Sequence, residues 1–574
     1  MLIINQRYGN FGIDNYMDNF KNPPPLAFER VMEGTPISAH DSPLFKIPIE
    51  ILTTITRLLK SSIKDLKNFA LVSTECRQLA RSYQFCTIKF DGGRHSESLL
   101  RLLQREAVER GQNRGRTRAP SLGACVRRVV TNNDGYWDEI MASRPLKPGR
   151  SISDNLDDPF DHDEEKVSQW RPIVGYLTHK LNENYRPNVL FVVSSLVNLE
   201  SFDMSHADWN QTLLNTLVAM PIKSLSLGDV QMTDILPVID DVVWPIQRLD
   251  IRLSWDFDFR THTDKSPLNS SKSWETILRL CSKSLQVLKI SHSGIMSIEE
   301  IKEEAVSFVL LFPKLQHLHL LWESHFGLLA LRSLILTSSN LTNLAINYGN
   351  PVTRRLLDRE GRIPSLRAVI LNHTYGCEIP NNSSFRFLKK NLQIEALGFY
   401  SAETHILLER VLKLVRKYFQ LKKISLAWKG FEIPESSLEA LSSLSTLESI
   451  HLSSGCQLGW RNDWPINHEA IIAGLKKLKN LRRIAFTRDS YSYSRHNFMF
   501  EYNSYKQLRN DAWDLHERKM GEIAYAYAKA FPNLELLHAG EMTMEIRRIR
   551  KDILISPRDD ERFSWERSIL NMIL

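Results

Sequence analysis

His317 and His319 flank Leu318 in the run Leu315-Gln316-His317-Leu318-His319-Leu320, a spacing that puts both imidazoles on one face of a strand. Such a pair is half of a metal site. No second pair of ligands accompanies it, so the expected role is partner-facing or merely exposed. The acidic run with Asp154, Asp157, Asp158, Asp161, Asp163, Glu164 and Glu165 lacks EF-hand spacing and reads as a solvated loop. From Arg110 to Arg118, arginines mix with glycines but with no aromatic residue. That is a thin phosphate-binding pattern, weighed against a solvated linker. Cys76, Cys86, Cys125, Cys281, Cys377 and Cys456 are scattered without a C-x-x-C, which suits reduced structural thiols. The chain contains no H-E-x-x-H, phosphate loop or G-x-S-x-G. The expectation is a non-enzyme without catalytic residues, metal or cofactor, which works by binding.

Bulk properties agree. The 574 residues are 43% hydrophobic and 24% charged, ordinary for a globular chain, and too many for one core unless it is a repeat array. A net charge of +8 is modest at this length and does not by itself argue for nucleic acid. The first residues lack a charged lead and long apolar core, so no secretory signal is expected. No stretch has the length and apolarity of a membrane span. The expected location is cytoplasmic or nuclear, and triplets such as Asn340-Leu341-Thr342 are chance rather than glycan acceptors.

Residues 44–90 must supply one binding element. Pro48 suits the start of a helix on which Ile51, Leu52, Ile55, Leu58 and Leu59 form an apolar stripe. Asp65 is expected to cap a second helix bearing Leu66, Phe69 and Ala70. Ser73 is expected to cap a third with Cys76, Leu79, Ala80 and Tyr83 on one face. So small a module carries more aliphatic surface than it can bury alone, and a partner is expected to complete it.

The order Ile47-Pro48-Ile49-Glu50-Ile51-Leu52, then Asp65-Leu66, then Leu71-Val72-Ser73-Thr74-Glu75-Cys76-Arg77 resembles the F-box. Ile47 stands where the family has Leu, and Cys76 where it often has an aromatic residue. The resemblance covers less than a tenth of the chain. It implies docking on the Skp-type adaptor of an SCF ubiquitin ligase, and through it on a cullin. The positions matching the family's docking pattern are Pro48, Ile51, Leu52, Ile55, Leu58, Leu66, Leu71 and Val72. The alternative is an ordinary three-helix cap on the next domain.

From about residue 190 a unit recurs: aliphatic, two variable residues, aliphatic, one variable, apolar. It runs from Leu199-x-x-Phe202-x-Met204 through Leu421-x-x-Ile424-x-Leu426 to Leu534-x-x-Leu537-x-Ala539, mostly at intervals of about 23 to 30 residues. Helix-like stretches separate the units, clearest over 301–312, 405–419 and 469–478. The pattern predicts an α/β solenoid: an irregular leucine-rich-repeat horseshoe with a parallel sheet inside and helices outside. Regular repeats carry Asn or Cys three residues after the last apolar position; Ala207, Val230, Ser254 and others stand there instead. The side-chain ladder is therefore absent or improvised. This irregularity resembles the large fungal family of F-box proteins with degenerate repeats.

The expected domains are a disordered leader (1–43), the F-box-like module (44–90), a transitional segment with basic and acidic loops (91–190) and the solenoid (191–574). The expected function is target recognition for an SCF-type E3 ligase. Gln316, His317, His319, Lys422, Lys423 and Ser425 are the candidate target-binding residues on the sheet. Trp255, Trp322 and Trp428 follow strands, either lining the rim or packing at its edge. A scaffold outside ubiquitination and a basic nucleic-acid-associated repeat protein are the alternatives.

Overall fold

A computed structural model describes residues 26, 28–33, 43–59, 62–112, 120–132, 185–205, 208–232, 243–253, 271–292, 308–320, 326–347, 351–372, 383–400, 405–428, 433–453, 456–458, 461–463, 466–486, 510–539, 542–550 and 552–557. The chain forms two compact units, divided between Ser254 and Trp255. This boundary falls inside the stretch expected to be one solenoid.

The first unit begins with α1 (Phe28–Val31), α2 (Ile49–Leu59), α3 (Ile63–Ala70) and α4 (Thr74–Gln84). Strand β1 (Thr87–Phe90), helix α5 (Arg94–Gln112), strand β2 (Arg128–Thr131) and helix α6 (Arg186–Ser195) follow. Then come β3 (Ser201–Ser205), the short β4 (Asp208–Trp209), α7 (Gln211–Val218), β5 (Ser224–Met232) and β6 (Arg248–Leu253). Strands β1, β2, β3, β5 and β6 pair in parallel, aligning Ile88, Val129, Phe202, Leu225 and Leu249 in a buried row. The sheet thus starts at residue 87, two strands before the first repeat read from the sequence.

The second unit contains α8 (Ser271–Cys281), β7 (Val287–His292), β8 (His317–Leu320), α9 (Leu328–Leu336), β9 (Asn343–Asn347) and α10 (Pro351–Glu360). It continues with β10 (Ala368–Asn372), α11 (Ser383–Lys390), β11 (Ala396–Tyr400), α12 (His405–Val415), β12 (Lys423–Ala427), α13 (Glu435–Ser442) and β13 (Ser449–Ser453). A small hairpin of β14 (Cys456–Leu458) and β15 (Arg461–Asp463) precedes α14 (His468–Leu475) and β16 (Arg483–Phe486). The unit closes with α15 (Asn510–Ala530), β17 (Leu536–Ala539), β18 (Met542–Ile549) and β19 (Asp552–Pro557). Its parallel strands align Leu288, Leu318, Leu344, Val369, Leu397, Ile424, Ile450, Ile484 and Leu537 in one register. Consecutive helices from α9 to α15 pack side by side. After β17 the direction reverses: β18 and β19 pair antiparallel, with Arg550 in the left-handed region (φ 58°) at the turn.

The apolar positions of all twelve sequence units are buried: the second and third of each unit, two residues apart, share one face of the sheet, and the first is buried just ahead of its strand. The missing ladder has a substitute in front of the strand. Asn198, Asn340, Asn480 and Asn533 each precede a unit's first aliphatic residue, and their Nδ2 groups donate to the carbonyls of Ala124, Pro313, Ser445 and Lys479 at 2.7, 2.8, 2.9 and 2.8 Å. Directly after the first aliphatic residue of the last six units runs a second device, an alternation of charge: Arg367, Glu395, Lys422, Glu448, Arg482 and Glu535. Their backbones form a continuous ladder in which each carbonyl from Arg367 to Arg482 accepts two N–H groups from the next unit. Ion pairs join Arg367 to Glu395 (3.8 Å), Lys422 to Glu395 (3.0 Å) and Arg482 to Glu535.

The leader departs from its expectation where it is described. Leu26, Phe28, Val31 and Met32 are buried in one core with Leu52, Leu79 and Cys125. Polar bonds hold this strap. Arg30 donates to Asn198 Oδ1 (3.0 Å), Gln78 to the Val31 carbonyl (2.9 Å), and Arg110 to Glu33 (3.0 Å). Glu33 also accepts from the Ser121 N–H (2.9 Å) and hydroxyl (2.7 Å). Gly34 and the prolines before it break periodicity, but breaking a long helix does not prevent one apolar turn from docking.

Candidate functional site

The three helices after the strap make the candidate docking module. Ser62, not Asp65, caps α3: its Oγ accepts from the Asp65 N–H at 3.2 Å, leaving Asp65 in the first turn. Ser73 caps α4 as expected, accepting from the Cys76 N–H at 3.1 Å. Tyr83 donates to the Thr53 carbonyl (2.8 Å), tying α4 to α2. Cys76, Leu79 and Ala80 face inward. Burial pushes the thiols of Cys76 and Cys125 up, the latter to about 12, so neither is a reactive thiolate.

The eight residues expected to dock the adaptor divide into two groups. Leu52 and Leu66 are buried, only 1% and 2% exposed, and serve the module's own interior. Pro48, Ile51, Ile55, Leu58, Leu71 and Val72 face outward. Leu58 and Leu71 are 72% and 78% exposed, far beyond what an isolated surface leucine needs. Ile51, Ile55 and Leu58 fall at i, i+4 and i+7 on α2, and Leu71 and Val72 occupy the turn between α3 and α4. The amphipathic stripe is real but two-sided: Leu52 lies beside Ile51 in sequence and about 100° away on the helix. The strap fills the inner side, so the outer side is what the module offers.

The strand candidates separate by position. His317, His319 and Ser425 are buried, contrary to the exposed face expected of the histidines. Burial pushes His317 down to about 4. Ser425 Oγ lies 2.7 Å from His451 Nδ1, and His538 Nδ1 lies 3.0 Å from Thr543 Oγ1, two buried polar pairs that sequence reasoning missed. Lys423 is half-buried, and burial followed by the nearby Arg483 pushes its pKa down. Gln316 is half-buried at the strand entry, and Lys422 is exposed in the charge ladder. Alternation puts His317 and His319 on the face opposite Leu318, but it carries no signal for whether that face is covered.

Other candidates resolve similarly. Arg110 is held by Glu33, Ser121 and the Ser195 carbonyl, so it belongs to the interior. Arg114, Arg116, Arg118 and the acidic run at 154–165 lie outside the described residues, as do Trp255 and Trp322. Trp428 is buried and its backbone N–H donates to the Ser453 carbonyl at 3.0 Å, which is packing at the strand edge. Among the described residues no group of three His, Cys, Asp or Glu side chains could hold a metal ion, and no helix is long and apolar enough to cross a membrane. Neither a scan of protein-family models nor a search of curated proteins returns a match to this chain.

Proposed function

We propose that the chain is the substrate-recognition subunit of an SCF-type E3 ubiquitin ligase. It docks on the Skp-type adaptor through Pro48, Ile51, Ile55, Leu58, Leu71 and Val72, with Leu52 and Leu66 supporting that face from beneath. One observation carries the reading: outward aliphatic side chains crowd a module whose inward side is already filled by the chain's own strap. The resemblance to the F-box, with its three sub-motifs in order, supplies the partner. Target capture falls to the repeat-bearing part, where Gln316 and Lys422 remain accessible at the strand entries. The chain performs no chemistry; it raises the target's concentration beside a ubiquitin-carrying enzyme held elsewhere in the complex.

The test is co-purification of the intact chain with the Skp-type adaptor. Burying one such side chain contributes about 1.5 to 3 kcal/mol, roughly 10- to 100-fold in affinity. Leu58→Asp and Leu71→Asp should each lose the adaptor while melting like the parent. Adaptor recovery undiminished in the double variant would rule the reading out.

A further inference from the structure

The C-terminal end of the second unit holds a groove that none of these roles uses. Helix α15 and strand β19 wall it, and its volume is about 650 Å³. Met544, Ile553 and Ile555 make an apolar floor. Glu517, Arg518 and Glu522 stand along the helix side.

Gly521 opens this groove. It sits inside a helix of 21 residues, where glycine is destabilising by roughly 1 kcal/mol relative to alanine. Its φ is not positive, and a Cβ there would meet only Met544 Cε at 3.7 Å, an ordinary contact. Neither backbone nor packing requires glycine; what its missing side chain provides is open space above Met544.

The strand supplies the second half of the site. Among the described residues β19 pairs with β18 alone, so its outer edge carries no neighbour. Ile549 and Asp552 flank the two-residue turn as a pair, and antiparallel alternation then sends the N–H and C=O of Ile553 and Ile555 to the outer edge. The residues that line the groove with side chains therefore offer backbone hydrogen bonds beside it. An added strand would satisfy those groups and drop every second side chain under α15, the geometry of β-augmentation. A compact small molecule would leave the edge groups unused. Glu522 already pairs with Lys519 at 3.5 Å, so Glu517 is the carboxylate that favours a basic residue in whatever binds.

We propose that β19 and α15 form a docking site for an extended peptide segment with apolar residues at alternate positions and a flanking lysine or arginine. The proposal stands on the C-terminal hairpin and is independent of the adaptor reading. The probe is a fluorescein-labelled peptide of alternating valine and threonine with a lysine at each end, titrated with the full chain and followed by anisotropy. Saturable binding is expected, weakened at least roughly tenfold when the same residues are reordered so that the valines are adjacent. Gly521→Leu should weaken binding by a similar factor, whereas Gly521→Ala should keep it and raise the melting temperature. Should Gly521→Leu fail to fold, Glu517→Lys with Glu522→Lys serves instead: it should weaken the lysine-ended peptide and favour a glutamate-ended one. Indifference to valine order, to the leucine variant or to the charge reversal would overturn the site. Binding by a chain ending at Pro557 but not by the full chain would make residues 558–574 the occupant and overturn an external partner.

Discussion

Adjacent residues in the docking module have opposite fates. Ile51 points out and Leu52 points in, so an apolar residue's place in a motif does not reveal which partner it meets. A charge at Leu52 or Leu66 should unfold the module, lowering stability by about 3 kcal/mol or more, whereas the same charge at Leu71 should leave the melt unchanged. Circular dichroism melts of the three variants separate the outcomes. The buried histidines give a second residue-scale expectation. Burial holds His317 and His538 at about 4, and burial with the neighbouring His538 holds His451 at about 3. In the unfolded chain each returns near 6.5, so below that pH the unfolded state binds more protons and stability rises with pH. The neutral-histidine contribution is complete above pH 6.5 and drains away as pH falls towards 4. The melting temperature should drop steadily across that window, and His451→Gln should flatten the slope. An unchanged slope would mean that this imidazole titrates normally in the fold.

At the scale of the element, the asparagines before the strands do the work expected of residues after them. Asn198→Ala removes a buried clamp shared with Arg30 and should cost about 1 to 3 kcal/mol, measured by denaturant unfolding. The exposed Asn480→Ala should cost less. The charge row makes a different prediction: Glu395→Lys places three cations in succession with Arg367 and Lys422, so the loss in melting temperature should shrink as salt rises. Both devices were written in the sequence, as Asn-Leu pairs at four units and as alternating signs one residue into the six units from Leu366 to Leu534. Neither follows from the regular repeat pattern, which places its asparagine after the strand rather than before it. The repeated aliphatic triplets were legible, since burial on one side of a strand leaves a period that no loop disguises. The helix end at Phe531-Pro532 was legible for the same local reason: α15 stops at Ala530 and the Leu534 N–H donates back to the Phe531 carbonyl at 3.1 Å. At Phe312-Pro313 the same turn forms, with the Leu315 N–H on the Phe312 carbonyl at 3.3 Å, but residues 308–312 before it are not helical, contrary to the helix expected there.

At the scale of the molecule, what eluded sequence reasoning was contact between distant segments. Nothing in Leu26 to Glu33 announces a wedge, because its partners Leu79, Ser121 and Asn198 lie far along the chain. The burial of the strand face bearing His317 and Ser425 was equally silent, as was the division near Ser254. Val31→Asp should therefore damage the first unit as severely as a change within α2, and hydrogen exchange should report faster opening of α2 and α4 than in the parent.

The strap also sets a timetable for biosynthesis. Arg30 leaves the ribosome 168 residues before Asn198, the side chain that anchors it. At 5–20 residues per second that interval is about 10 to 30 seconds. Leu26, Phe28, Val31 and Met32 gain their apolar partners by Cys125, so the last part of the interval leaves the strap covered but not yet clamped. A message truncated before codon 198 would yield a strap that can still pack on Leu52, Leu79 and Cys125 but lacks its asparagine clamp.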